Sequence, residues 1–272
     1  MEYVTVDDAE VPALGIGTWR LTGAECRSAV ETALDLGYRH VDTAQAYGNE
    51  RDVGRAIEES DVDREEVFLT TKVWPMNASY DALLDSVEAS LARLNTDYVD
   101  LLLIHWPTPH VSTAEVMDGL NAARAEGYTR HIGVSNYGLR RLRTARQESA
   151  APILTNQVQF HPYAPKRRMV GYCQANDVLL TGYSPLGHGG LLDDPALLTL
   201  GAKYGKTPAQ VALRWALQHR GVATIPKASS RAHLEENLDV FDFRMTEEEL
   251  DSLVSPSKLR SGMAYLKGRL RA

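Results

Sequence analysis

The chain has 272 residues, 44% hydrophobic and 24% charged, a globular composition that excludes disordered, collagen-like and low-complexity classes. With 29 Lys plus Arg against 36 Asp plus Glu, the formal charge is −7, which argues against a partner as polyanionic as nucleic acid. No apolar run reaches the length of a membrane span, Met1-Glu2-Tyr3 does not open like a signal peptide, and Cys26 and Cys173 lack metal-ligand spacing, so a cytoplasmic chain with no metal, membrane or disulfide framework is expected.

Read in chain order, the pattern switches repeatedly between strand and helix periods. Val4-Thr5 and Val11-Pro12, around the acidic turn Asp7-Asp8-Ala9-Glu10, fit a hairpin. A glycine-bearing apolar run over 13–19 precedes a helix from about Ala24 to Leu36. His40 to Ala44 reads as a strand, followed by a helix opening at Asn49, a good N-cap residue. Val67–Val73 reads as a strand and Tyr80–Leu94 as an amphipathic helix, while Tyr98–Trp106 is apolar enough for a strand covered on both faces. The alternation continues through Thr113–Glu126, Thr129–Asn136, Leu139–Gln147, Ile153–Phe160, Lys166–Ala175 and Val178–Ser184. Helices over Pro195–Tyr204 and Pro208–His219, a strand over Val222–Lys227 and a helix from Ser230 complete eight rounds. No linker rich in Pro, Gly or Ser divides them. The count predicts one (β/α)8 barrel domain over 1–272, its floor capped by the N-terminal hairpin.

In such a barrel the strand C-termini share one mouth, where chemistry belongs. Asp42 with Tyr47 just beyond, Lys72, and His105 before Trp106-Pro107 all fall at strand ends. Plainer readings exist for some of them: a turn residue, a helix-entry aromatic, a loop histidine. Lys72 resists one, because an ammonium flanked by Leu69, Val73 and Trp74 must find an opposite charge, and Asp42 is the natural partner. An ammonium beside Tyr47 would draw the phenol down from its ordinary pKa of about 10, making it a usable acid. His105 can add a hydrogen bond at the same oxygen. Such a set can polarise a carbonyl and protonate the alkoxide formed on hydride delivery. Trp19, Trp74 and Trp106 also lie at strand ends, an aromatic substrate wall if the barrel holds.

Three segments then carry a resemblance. The segment from Gly37-Tyr38-Arg39-His40-Val41-Asp42-Thr43-Ala44 through Tyr47-Gly48-Asn49-Glu50 is similar to the first signature of the aldo-keto reductase superfamily. The segment Asp97-Tyr98-Val99-Asp100 through His105-Trp106-Pro107 resembles its fourth strand. Ile225-Pro226-Lys227 through Glu236-Asn237-Leu238, ending at Val240-Phe241-Asp242-Phe243, resembles its closing signature, so the match runs in order over nearly the whole chain.

The resemblance, which is to the prokaryotic aldehyde/ketone and diketogluconate-type reductases, implies a barrel that reduces aldehydes or ketones with NADPH, NADH remaining possible. It implies Tyr47 as general acid, Lys72 and Asp42 as its supporting pair, and His105 as the group orienting the substrate carbonyl. It further implies that Ser135, Asn136 and Gln157 bind the nicotinamide carboxamide and that Tyr183 stacks on the ring; Gln157 also reads as a satisfied barrel-interior amide. Ser184-Pro185-Leu186-Gly187 would underlie the pyrophosphate. The adenosine end would meet Ile225, Pro226, Lys227, Ala228, Ser229, His233, Glu236 and Asn237, with Glu236 on the adenine side. Gly17, Thr18 and Trp19 would meet the cofactor from strand one, where Gly15-Ile16-Gly17-Thr18-Trp19-Arg20 fails as a Rossmann fingerprint because Arg20 replaces the third glycine.

Family members preferring NADPH commonly carry arginine at the position of His233 and serine at that of Ala228, so a weakened NADPH preference is expected. Two other functions fit the same residues: a non-catalytic cofactor-binding regulatory module, and a Schiff-base lyase or isomerase built on Lys72. The expected partner is a small carbonyl compound, in a pocket left open by short loops; oligomeric state is not readable. Lys267, Arg269 and Arg271 form a basic end, either solvated or attractive to an anionic substrate.

Overall fold

The computed structural model describes residues 1–254. Lys267, Arg269 and Arg271 therefore lie outside the described residues. Two antiparallel strands, β1 (Tyr3–Val6) and β2 (Ala9–Pro12), come first. The turn is tighter than the acidic run predicts: Val6 pairs with Ala9, Asp7 takes a left-handed φ of 50°, and Ala9-Glu10 already belong to the second strand.

Then follow β3 (Ile16–Gly17), α1 (Gly23–Asp35), β4 (His40–Asp42), α2 (Glu50–Glu58), β5 (Phe68–Val73), α3 (Tyr80–Leu94), β6 (Val99–Ile104) and α4 (Thr113–Ala125). The second half comprises β7 (Thr129–Ser135), α5 (Leu139–Glu148), β8 (Ile153–Gln159), α6 (Arg167–Gln174), β9 (Leu179–Tyr183), α7 (Pro195–Tyr204), α8 (Pro208–Leu217), β10 (Val222–Thr224), α9 (Arg231–Leu238) and α10 (Glu247–Leu253). The expected alternation is present; α10, with its Thr246 and Glu249 capping box, is an addition to it.

Strands β3 to β10 form one parallel sheet in sequence order. It closes on itself: Leu14 bridges Thr224, Gly15 N donates to Thr224 O at 2.9 Å and Gly17 N to Pro226 O at 3.0 Å. Gly17 is required at this seam, because a Cβ there would lie 2.6 Å from Ile225 O. The structure is a (β/α)8 barrel with an N-terminal hairpin. Val6, Ala9 and Val11 of the hairpin pack against Phe68, Leu101, Leu154 and Leu179, near the strand N-termini. The hairpin thereby plugs the floor, and a larger apolar layer joins strands to the surrounding helices. That leaves the opposite rim for polar side chains. Among the described residues no helix is long and apolar enough to cross a membrane.

Candidate active site

Asp42 is the last residue of β4, Lys72 the fifth of β5, and His105 follows β6 directly, its N–H donating to Val73 O at 3.0 Å. Parallel register thus delivers three polar side chains to the rim. Tyr47 arrives on a single helical turn, Gln45–Tyr47, ended by Gly48 at a left-handed φ of 68°.

Lys72 is fully buried and completely engaged. Its Nζ donates to Asp42 Oδ1 at 2.5 Å, Thr43 O at 2.8 Å and Tyr47 Oη at 3.2 Å. The other carboxylate oxygen of Asp42 accepts from Gln157 Nε2 at 2.7 Å. Gln157 therefore joins the acidic end of this chain, an assignment nearer the barrel-interior amide than the sequence pattern alone distinguishes. Tyr47 meets His105 edge to face at 5.6 Å, and His105 meets Trp74 likewise at 5.7 Å.

The electrostatics correct one expectation. Burial pushes the Tyr47 phenol above its ordinary pKa, and the downward pull of Lys72 does not outweigh it, Asp42 also acting upward. Lys72 acts in the expected sense, but its effect is to offset burial. Burial alone would discharge Lys72, yet Asp42 and Tyr47 hold its pKa above the ordinary value. His105 is pushed down to about 3, by burial first and by Lys72 second, so it is a neutral imidazole at physiological pH. Its buried Nδ1 has no hydrogen-bond partner among the described residues.

A second group sits beside the first. Asn136, at a left-handed φ of 62°, donates to His105 O at 3.2 Å and to Ser135 Oγ at 3.0 Å, and accepts from Tyr183 Oη at 2.9 Å. Ser135 Oγ donates to Gln157 O at 3.0 Å. Beyond Tyr183, Ser184 (φ 49°), Gly187 (φ 54°) and His188 (φ 55°) all take left-handed backbone, in a turn where Pro185 is buried and Leu186 half-buried. Such strain away from glycine clusters at functional sites. Trp19 faces His188 at 5.4 Å and carries Arg20 over its ring at 4.4 Å. Thr18 is buried and its hydroxyl donates to the Asp42 carbonyl at 3.0 Å.

At the closing end Ile225, Pro226 and Ala228 are buried, whereas Lys227, Ser229 and His233 are exposed around the start of α9. Asn237 turns inward to the Tyr38 hydroxyl, and Glu236 accepts from Thr207 Oγ1. The lone arginine of α9, Arg231, is paired with Asp35 and Glu235. Trp19, Trp74 and Trp106 are 40%, 42% and 46% exposed, an unusual state for three tryptophans.

Some residues of this framework escape the sequence reading. Asn49 stands at the N-cap of α2 but caps nothing with its side chain. Fully buried, it donates to Thr18 O and Leu21 O, both at 2.8 Å, and accepts from Thr43 Oγ1 at 2.7 Å, stitching the first loop to the Tyr47 turn. Glu50 accepts from Thr71 Oγ1 at 2.6 Å and Arg93 Nε at 2.7 Å. A signal existed: Glu50 shares a helix face with the apolar Val53 and Ile57, so its carboxylate had to be buried and paired.

An eight-stranded parallel barrel holding an aspartate, a tyrosine, a lysine and a histidine at one rim defines a class, the barrel oxidoreductases acting on carbonyl groups. The chain belongs to the aldo/keto reductase family, whose model matches residues 13–257. It is 42% identical over 261 residues to the methylglyoxal reductase DkgB of Escherichia coli O157:H7, covering 92% of this chain and 97% of that protein. It is 46% identical, with a TM-score of 0.91, to the crystal structure of a candidate 2,5-diketo-D-gluconic acid reductase B, covering 93% of this chain and 90% of that one. The aldo-keto reductase AKR2E5 complexed with NADPH matches at 33% identity and a TM-score of 0.87, over 93% of this chain and 86% of its own. The protein is an NAD(P)H-dependent oxidoreductase that reduces aldehydes or ketones to alcohols.

Proposed function

We propose that Tyr47 is the proton donor of this reduction, with small, open-access carbonyl compounds as substrates. The observation that carries the reading is the single ammonium of Lys72, which touches both Asp42 Oδ1 (2.5 Å) and Tyr47 Oη (3.2 Å). A phenol whose pKa is raised by burial holds its proton at neutral pH and has it to give. The adjacent ammonium then stabilises the phenolate left behind. Asp42 and Gln157 fix Lys72 in place. His105, neutral, directs the carbonyl oxygen toward Tyr47 Oη by a hydrogen bond.

The residues present fit a nicotinamide dinucleotide. Tyr183 offers a flat ring, Ser135, Asn136 and Gln157 offer amide-matching groups beside it, and the left-handed turn at Gly187 lets backbone approach a phosphate. Lys227 and Ser229 are exposed at the far end, ahead of the N-terminus of α9. When bound, the cofactor supplies the hydride. We read the preference as NADPH over NADH, weakened because position 233 carries a histidine, which lacks the two-pronged guanidinium of an arginine, and Arg231 is taken up by Asp35 and Glu235. The same proposal includes one barrel domain over the whole chain and a cytoplasmic location.

The Schiff-base alternative needs a neutral, free amine. Lys72 is the reverse, an ammonium bound to three acceptors. The test is a panel of aldehydes, ketones and sugars assayed separately with NADPH and NADH. Turnover of small aldehydes with a modest NADPH preference is expected; no turnover of small aldehydes with either cofactor, or a preference for NADH, would overturn the proposed substrate class and cofactor preference.

A further inference from the structure

The turn that carries Tyr47 also carries a side chain for which the reaction has no use. Gln45 lies two residues earlier, half-buried between that turn and α3. Its carboxamide faces two elements at once. The nitrogen donates to Ser86 O, Ser86 Oγ and Ser90 Oγ, each at 3.1 Å. The oxygen accepts from Trp74 N–H at 2.9 Å and from Asn77 Nδ2 at 3.4 Å. The α3 side is itself pinned: Ser90 Oγ accepts from Arg93 Nη2 at 3.0 Å, and the same guanidinium holds Glu50.

Trp74 is the consequential partner. The residue follows the last ladder position of β5, and its backbone is held by three bonds: His105 N–H to the Val73 carbonyl at 3.0 Å, Asn77 N–H to the Trp74 carbonyl at 2.9 Å, and Trp74 N–H to Gln45. The bond to Gln45 is the side-chain contribution to that anchor. From that anchor the indole, 42% exposed, sets its edge against His105 at 5.7 Å, and His105 sets its own against Tyr47 at 5.6 Å. A large aromatic exposed to this extent has rotamers to lose, and fixing its backbone origin limits them.

We propose that Gln45 is a specificity-determining positioning residue: its carboxamide sets the Trp74 wall beside the reacting carbonyl and favours substrates bearing an aromatic or apolar group. The proposal rests on Tyr47 as proton donor, since that places the carbonyl against this wall. An apolar wall binds the ground and transition states alike, so its loss appears in KM rather than kcat. Loss of one such contact is worth about tenfold. A residue that merely supported the Tyr47 turn would instead lower kcat for every substrate.

The experiment compares Gln45→Met and Gln45→Glu, each alone and combined with Trp74→Ala, using benzaldehyde and propanal at saturating NADPH. Gln45→Met should raise KM for benzaldehyde about tenfold and for propanal less than about twofold, with kcat little changed for either. Gln45→Glu keeps the acceptor for Trp74 N–H and should recover most of the benzaldehyde KM. In the Trp74→Ala background Gln45→Met should add nothing further, because the two act through one wall. An equal fall in kcat for both aldehydes, an unchanged benzaldehyde KM, or additive effects with Trp74→Ala would overturn the proposal. Reduction of propanal but not benzaldehyde by the unmodified enzyme would do the same. Reduction of neither aldehyde would overturn the reading of Tyr47 beneath it.

Discussion

At the scale of single residues, the site works by setting burial against charge. Tyr47→Phe deletes a proton and almost no surface, so reduction should fall roughly 10²–10⁴-fold while the dissociation constant for NADPH, from fluorescence titration, hardly changes. Near-normal turnover in the variant would remove Tyr47 from its role. Lys72 pulls the phenol down against burial, so Lys72→Met should let its pKa climb. Reduction needs the protonated phenol; its alkaline decline should therefore move to higher pH, and the rate at neutral pH should drop because the acid is weaker. An unaltered pH–rate profile would disprove the coupling. Sequence reading anticipated the direction of Lys72's influence but not the balance, because burial of Tyr47 follows from packing between elements distant in the chain.

At the scale of elements, two joints are decisive. The first is the seam where β3 meets β10. Gly17→Ala would place a Cβ 2.6 Å from Ile225 O, against backbone that cannot yield cheaply. A loss of about 1–3 kcal/mol is expected from overpacking, read as a lowered denaturant midpoint; unchanged stability would mean that the seam can spread. The second is the start of α9. His233 is exposed there beside Lys227 and Ser229, with no free arginine on the helix. His233→Arg should lower KM for NADPH far more than KM for NADH, since a guanidinium grips a 2′-phosphate in two-pronged fashion and at every pH. Equal improvement for both cofactors would place the phosphate elsewhere.

At the scale of the whole molecule, buried histidines make the fold acid-sensitive. His105 is pushed down to about 3 and His161 to about 4, in both cases chiefly by burial, and His40 is shifted downward for the same reason. The unfolded chain binds these protons near its ordinary value of about 6.5, so it holds more of them than the folded chain throughout the interval below. Stability should be fullest above pH 6.5 and decline as the pH falls from there toward 4. Below about pH 4.5 a further loss follows from Glu249, whose carboxylate is drawn down to about 2 by Lys203, the Thr246 N–H and Tyr204. Urea midpoints at pH 7.5, 6 and 5 test this, and a flat series would contradict it.

What the sequence by itself determined was the periodicity and its punctuation. Eight alternations of strand and helix dictate a barrel, because parallel strands need covered crossovers and eight of them close. Rim positions of Asp42, Lys72 and His105 follow from their places at strand ends, and the signature around Tyr47 carries the family. The tertiary structure alone decided who binds whom. Gln157 is 115 residues from Asp42, and that contact is set by barrel closure, which no local pattern encodes. Asn49 has the residue type of a helix cap, yet buried carbonyls at Thr18 and Leu21 claim its amide, a competition between local and long-range acceptors that only packing resolves. The pairing of Gln45 with Trp74 is of the same kind: two loops, each legible alone, whose meeting depends on how α3 seats against β5.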